Sequence, residues 1–326
     1  MTRLPMCMIV DDPAPIINPL YYFRLQVGKM AEPKQQSGEA MPSKIPLELL
    51  ERFAEAAARF GVKGKFSILA YPAGLGSILD GWEGADKKEL EAWLRVARER
   101  VEPLFDITPE IMTHTLALDL DTKKLLPLSE HEWSQQQNEE TLTRYITASL
   151  DILSRAGFDA TGVTSPCDFG TKVEDAYARA VLGAERKVHG RSLTWYFLHT
   201  DTQPKGKPSH VFARDCTGGT VVSVVSKCGD FAWQTMESPD TSDDYVRSVA
   251  DKYVTEDGTS GQLAALLNAG VPIVFHTHWQ SLYSNGRFTG MKAIEIMFER
   301  VAGLWGSKVA WMKCSAFAER IAKSNG

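Results

Sequence analysis

Two hydrophobic periodicities alternate along this chain. Short runs apolar on both parities read as strands buried on both faces: "MCMIV" (6–10), "VKGKFSILAY" (62–71), "LTWYFLHT" (193–200), "VPIVFHTH" (271–278) and "KVAWMKCS" (308–315). Between them lie stretches of helical period. "IPLELLERFAEAAARFG" (45–61) has Pro46 near its first turn and Gly61 at its end. "KKELEAWLRVARERVEPLF" (87–105), "NEETLTRYITASLDILSRAG" (138–157), "KVEDAYARAVLGAERKV" (172–188) and "GMKAIEIMFERVAGLWG" (290–306) follow the same period, with further helical patterns near 241–255, 259–269 and 316–323. "FDITPEIMTHT" (105–115), "ATGVTSPC" (160–167) and "GGTVVSVVSKCG" (218–229) complete the strand set.

About seven or eight apolar strands separated by helices indicate a parallel sheet covered on both faces. For 326 residues this predicts an irregular, TIM-like (β/α)7–8 barrel forming one domain over 1–326, with rim loops at 13–45, 116–138 and 201–219. A dinucleotide fold fits less well, because no G-x-G-x-x-G follows the first strand. Asp11, Asp12, His114, Thr164, Ser165, His276 and His278 all fall at predicted C-terminal strand ends. In a β/α barrel those ends form the rim where active sites are built.

Composition narrows the class further. The formal charge of −5 argues against a nucleic-acid partner, and no run of about 18 apolar residues predicts a membrane span. Five scattered cysteines without a C-x-x-C pair suit a reducing cytoplasm better than a disulfide or zinc-knuckle scaffold. The expected partner is a small molecule or an oligosaccharide, and homo-oligomer formation is left open.

The chemistry concentrates at the strand ends. "IVDDPAP" places Asp11 and Asp12 side by side, and Pro13 favours an extended Asp12. Two adjacent carboxylates repel unless a cation or donors lie between them, although a solvated turn has the same sequence. His114 comes after a strand, with Asp119 five residues on, and His276 and His278 share one face of the most apolar strand. Asp230 and Trp233 end another strand, either as orienting acid and sugar platform or as ordinary turn and packing. Cys167 raises a cysteine nucleophile as an alternative. "LSEHEW" reads as a lid carrying His131, Glu132 and Trp133, and Tyr21, Tyr22, Trp279 and Tyr283 place aromatics near the mouth.

The order of these motifs resembles the polysaccharide deacetylase superfamily, irregular β/α barrels that remove acyl groups from amino sugars or related amides. "IVDD" is similar to the family's opening motif, which implies Asp11 as general base and Asp12 as metal ligand. "THT" resembles the start of His-[Ser/Thr]-x-x-His, which implies His114 as a second ligand. "TSPCDFG" occupies the place of Arg-x-Pro-[Tyr/Phe]-Gly, Asp230 with Trp233 resembles the Asp-Trp element, and "IVFH" resembles the strand ending in the general-acid histidine, here His276 or His278. The resemblance implies a divalent metal, Zn²⁺ or a similar ion, and amide hydrolysis by metal-activated water. Two departures stand out: Leu118 replaces the second imidazole, leaving Asp119 or His278 as third ligand, and Thr164 replaces the arginine that braces the base. The rival readings are a glycosidase using Asp11 or Asp12 with Asp119 or Asp230, and a non-catalytic carbohydrate-binding relative.

Overall fold

A computed structural model describes residues 3–35 and 37–324. Strand β1 (Leu4–Asp11) divides its side chains by parity between two cores. Met6, Met8 and Val10 pack with Leu49, Leu50 and Phe53 in a large outer core beneath helices. Cys7 and Ile9 instead join Trp195, Phe197, Val222, Val224 and Val274 in an inner cluster. A strand buried on both faces has to be apolar on both parities, as the sequence is.

Helix α1 (Pro19–Gln26) starts at Asn18, whose side chain accepts the Leu20 N–H. Helix α2 (Leu47–Phe60) buries Leu49, Leu50 and Phe53 and stops at Gly61, whose φ of 65° is left-handed. β2 (Gly64–Ile68) runs parallel to β1 with Met8 opposite Gly64. A Cβ on Gly64 would stand 1.7 Å from the Met8 carbonyl oxygen, so the approach of the two strands requires glycine. Helix α3 (Lys87–Val96) leads into β3 (Phe105–Pro109). The antiparallel hairpin β4 (Leu116–Leu118) and β5 (Leu125–Ser129) follows, then helices α4 (Glu130–Ser134) and α5 (Glu139–Arg155).

The second half repeats the alternation. It comprises β6 (Val163–Thr164), helix α6 (Glu174–His189), β7 (Leu193–Thr200), β8 (His210–Arg214) and β9 (Thr220–Ser226). Helices Asp243–Tyr253 and Gln262–Asn268 precede β10 (Ile273–His278), helix Thr289–Trp305 precedes β11 (Val309–Trp311), and helix Cys314–Ser324 closes the chain. No helix among the described residues is long and apolar enough to cross a membrane.

The strands form a parallel sheet ordered β10-β1-β2-β3, with β11 beside the start of β1, and a second sheet ordered β6-β7-β9-β8. In the second sheet β8 is antiparallel to β9, so the 201–219 segment, read as a rim loop, contains one strand of a hairpin. The two sheets share the inner cluster and touch along two seams. Thr161 N–H donates to Ile107 at 3.2 Å between β3 and β6, and Lys227 N–H donates to Val274 at 2.6 Å between β9 and β10. A continuous barrel ladder is therefore not formed among the described residues, and the expected closed barrel is a two-sheet, barrel-like α/β arrangement. Cys314, Phe317 and Ala318 pack into the inner cluster, and Ser315 bonds Asp106 near the start of β3. That helix covers the N-terminal strand ends and leaves the C-terminal ends for a cleft.

Candidate active site

The inward parity of β1 ends at Asp11, and the neighbouring strands present polar side chains at the same level. Lys65 and Ser67 alternate on β2 and both are fully buried. The Lys65 ammonium bonds Asp11 Oδ1 and donates to Thr164 Oγ1 at 2.7 Å, and Thr164 bonds Thr108 of β3 at 2.9 Å. The arginine expected near Thr164 is thus replaced in space by a lysine from a different strand. Sequence reading missed Lys65, although its parity with Ser67 was visible.

Asp12 turns away from this pair. Its φ is 66°, in the left-handed region, not the extended conformation expected before proline. Aspartate tolerates this conformation better than most residues. One carboxylate oxygen, Oδ1, lies 2.7 Å from His114 Nε2, and the other accepts from Gln280 Nε2. Glu110, just beyond β3, completes the group: Oε1 lies 3.6 Å from His114 Nε2, and Oε2 accepts from Ser67 and from the Asp12 N–H. Ligand atoms of Asp12, Glu110 and His114 all lie within 4.8 Å of one another.

This cluster corrects the register taken from the sequence. His114 is the second member of an i, i+4 pair whose first member is Glu110, so the position to inspect was four residues before it, not Leu118 four after. Asp119 does not join the cluster. It lies in the β4–β5 turn, where Oδ1 accepts the N–H groups of Asp121 and Thr122.

His114 is held by its backbone. Its φ is 61° and that of Ile111 is 46°, both left-handed. The buried carboxylate of Glu130, at the start of α4, accepts the N–H groups of Met112, Thr113 and His114 at 3.2, 3.1 and 2.9 Å respectively, and the Tyr145 hydroxyl at 2.8 Å. The "LSEHEW" segment is therefore an anchor for the His114 loop. Its Glu132 serves the Ser129 capping box, and Trp133 packs on Tyr145.

The two strand-end histidines of β10 have different partners. His278 Nδ1 lies 2.9 Å from Asp230 Oδ2, whose carboxylate is further held by Ser281 and Thr277. Burial opposes its charge, but the Asp230 bond and the charges of Asp12, Asp230 and Asp11 outweigh it and raise its pKa to about 9. His276 Nδ1 instead meets Ser226 Oγ at 3.0 Å, and burial together with the His278 charge holds its pKa below the ordinary value. His278 is thus a cation near neutral pH and His276 a neutral ring.

The cluster shows opposed electrostatics. Burial raises Glu110, and the charges of Asp12 and Asp11 raise it further. For Asp12 and His114, burial is outweighed by their mutual attraction, so Asp12 lies well below and His114 well above its usual pKa.

A cleft of about 310 Å³ opens over these groups, lined by Asp11, Asp12, Glu110, His114, His276 and His278 among others. Leu20 and Phe23 of α1 form its apolar wall, whereas Tyr22 packs on the outer core. Tyr21 stacks edge-on against Tyr22, and neither tyrosine is among the residues lining the cleft. Trp233 does line it, its ring 4.9 Å from that of His278. Trp279 does not: it is fully buried against Phe53 and Phe66, because the helix that follows β10 turns it into the outer core. Cys167 lines the cleft, but desolvation outweighs the nearby His114 and pushes its thiol up, away from the thiolate a nucleophile needs.

The Asp12, Glu110 and His114 donors fit a divalent cation. Three ligand atoms converge, and the second oxygens of Asp12 and Glu110 are fixed by Gln280, Ser67 and the Asp12 N–H. One feature departs from the usual imidazole ligand: His114 Nδ1 is buried without a hydrogen-bond partner.

No protein-family model and no curated protein sequence matches the chain. Among solved structures it superposes on the "putative polysaccharide deacetylase" from Mycobacterium smegmatis with a TM-score of 0.55 and 14% identity, over 100% of this chain and 93% of that one. A CE4 family pseudoenzyme from Bacillus anthracis gives a TM-score of 0.34 at 10% identity, over 77% of this chain and 58% of that one. A 4-alpha-glucanotransferase from Thermococcus litoralis gives 0.39 at 12%, over 84% and 33%. These last two are too distant to carry weight. The first establishes the class: this chain has the fold of a polysaccharide-deacetylase-like α/β protein, and the resemblance drawn from its motifs holds at the level of fold.

Proposed function

We propose that this chain is a divergent, metal-dependent amide hydrolase of the deacetylase type, removing an acyl group from an amino sugar or related small amide. The observation that carries this reading is the convergence of Asp12, Glu110 and His114 beside Asp11 and the Asp230-paired His278 in one cleft. A divalent ion held by the three would polarise the substrate carbonyl and make water acidic enough to attack it near neutral pH.

The remaining work falls to the chain itself. Asp11 takes the proton of the attacking water, its carboxylate oriented through Oδ1 by Lys65. His278, protonated near neutral pH, delivers a proton from Nε2 to the leaving nitrogen, while Asp230 on Nδ1 fixes the ring and its tautomer. Trp233 holds the other side of that ring, and Leu20 and Phe23 exclude water from one side of the cleft. His276, bonded to Ser226 and neutral, is a wall residue in this scheme. A two-carboxylate glycosidase has less support, because Asp230 is committed to His278 and Asp119 to a turn.

Elemental analysis of the purified protein, paired with a release assay on N-acetylated sugars and small amides, tests the proposal. Asp12→Ala and His114→Ala should lose the metal. Asp11→Asn should keep it while turnover falls by roughly 10²–10⁴. Metal-free protein whose Asp12→Ala variant behaves as wild type would overturn it.

A further inference from the structure

Glu110 changes what kind of cation the cleft can hold. Its side chain is buried, and its two oxygens are already differentiated: Oε2 accepts from Ser67 and the Asp12 N–H, while Oε1 faces His114 Nε2. The other carboxylate is differentiated in the same way, with Gln280 on Asp12 Oδ2 and His114 on Oδ1. The donor set is therefore two single carboxylate oxygens and one imidazole nitrogen. The neighbouring acid, Asp11, is already paired with Lys65, so with His114 neutral as a ligand a dication would meet the two carboxylates of Asp12 and Glu110. The converging charge would sum to zero in a place where net charge is costly.

We infer that Glu110 is a metal-selectivity residue, making this site an oxygen-rich one that favours Zn²⁺ over Mn²⁺ much less than an imidazole at position 110 would. Carboxylate oxygen suits hard ions such as Mn²⁺ and Mg²⁺, whereas imidazole suits Zn²⁺. Replacing a neutral nitrogen donor by an anionic oxygen therefore narrows the gap between the two metals. Serine 67 and the Asp12 N–H hold Glu110 so that Oε1 is the oxygen left for the cation, which gives the residue a fixed, one-oxygen role.

This inference rests on the metal-dependent reading, and one experiment separates the two. Wild type, Glu110→His and Glu110→Gln are stripped with chelator and titrated with Zn²⁺ and with Mn²⁺, using calorimetry and the Mn²⁺ paramagnetic resonance signal. Glu110→Gln has the parent's shape, and its amide oxygen can still accept from Ser67, so it keeps the test sound should the histidine variant fold poorly. The expected result is that Glu110→His widens the ratio of the Mn²⁺ to the Zn²⁺ dissociation constant by about tenfold or more, and that Glu110→Gln weakens Mn²⁺ at least about tenfold. Unchanged ratios in Glu110→His, or Glu110→Gln binding both ions as wild type does, overturn the inference while leaving metal-dependent hydrolysis standing. Failure of wild type to bind either ion overturns both.

Discussion

Asp11 and Asp12 are adjacent in the chain, yet the fold separates their roles completely. Asp11 keeps the strand's inward parity and meets Lys65; Asp12, with its left-handed φ, swings to His114 and Gln280. The pair was legible as chemistry because two aspartates at the end of an apolar run are costly to bury. Their partners were less legible. Lys65 looks like a solvent residue in "VKGKFSIL", and only a second sheet opposite β2 makes its side of the strand an interior. Glu110 was hidden for another reason: a glutamate four residues before a histidine has the same appearance in a ligand set as in an ordinary turn. At this scale the clearest test is pH. The folded pKa of His278 is about 9, above the roughly 6.5 of an unfolded histidine. The stabilisation from its charged form is therefore fully present below about pH 6.5 and is lost as pH rises through about 9. If His278 is the proton donor, turnover should fall along a basic limb at high pH as its ring loses the proton, above the ordinary histidine range because Asp230 holds the charged form. Asp230→Asn removes the partner charge and should move that limb toward lower pH, which a pH–rate profile of both proteins measures. A limb that stays in place would remove His278 from the role of acid.

Among the elements, α4 has the largest influence for its size. Five residues long, it begins with a capping box between Ser129 and Glu132, which is visible in the sequence as S-x-x-E. That box sets the first helical turn, and the turn directs Glu130 inward beneath residues 112–114. The segment read as a lid is thus a foundation, because the cap buries Glu130 and not the more conspicuous His131 or Trp133. The N–H groups that Glu130 collects belong to a loop with left-handed Ile111 and His114, so the carboxylate holds an otherwise unfavourable backbone. Glu130→Gln presents an amide N–H₂ to those donors. It should cost at least about 2 kcal/mol in denaturant unfolding and weaken metal binding by roughly 10–100-fold. Tyr145→Phe, which removes a single bond to the same carboxylate, should leave metal affinity within a few-fold of wild type. Equal losses in both variants would mean that the loop tolerates any disturbance poorly and that Glu130 has no special hold on His114.

For the molecule as a whole, strand and helix positions could be read from periodicity because β1 and the start of β10 are buried on both faces and are apolar on both parities there. The way the two sheets meet could not. The seams rest on backbone bonds such as Thr161 to Ile107 and Lys227 to Val274, which no side-chain pattern encodes. Polar side chains reinforce those seams, and they belong to the cleft. Asp230, beyond β9 of the second sheet, holds His278 of the first, and Ser226 holds His276 across the same seam. At the other seam, Lys65 of β2 holds Thr164 of β6 while neutralising Asp11. The residues that tie the two sheets together are therefore direct partners of cleft residues. Lys65→Met should cost about 3–5 kcal/mol, because it leaves Asp11 buried without its partner, and it should depress turnover by displacing the base. Thr164→Val is isosteric and removes the hydroxyl that accepts from Lys65 and bonds Thr108, so about 1–2 kcal/mol is expected. Since the Lys65–Thr164 bond is lost in either single variant, the double variant should cost less than the sum of the two, the Thr108 bond being the part that Thr164→Val adds. Urea unfolding of the four proteins measures that coupling. Full additivity would show that Lys65 serves Asp11 and the seam independently, and the tie between fold and site would be lost.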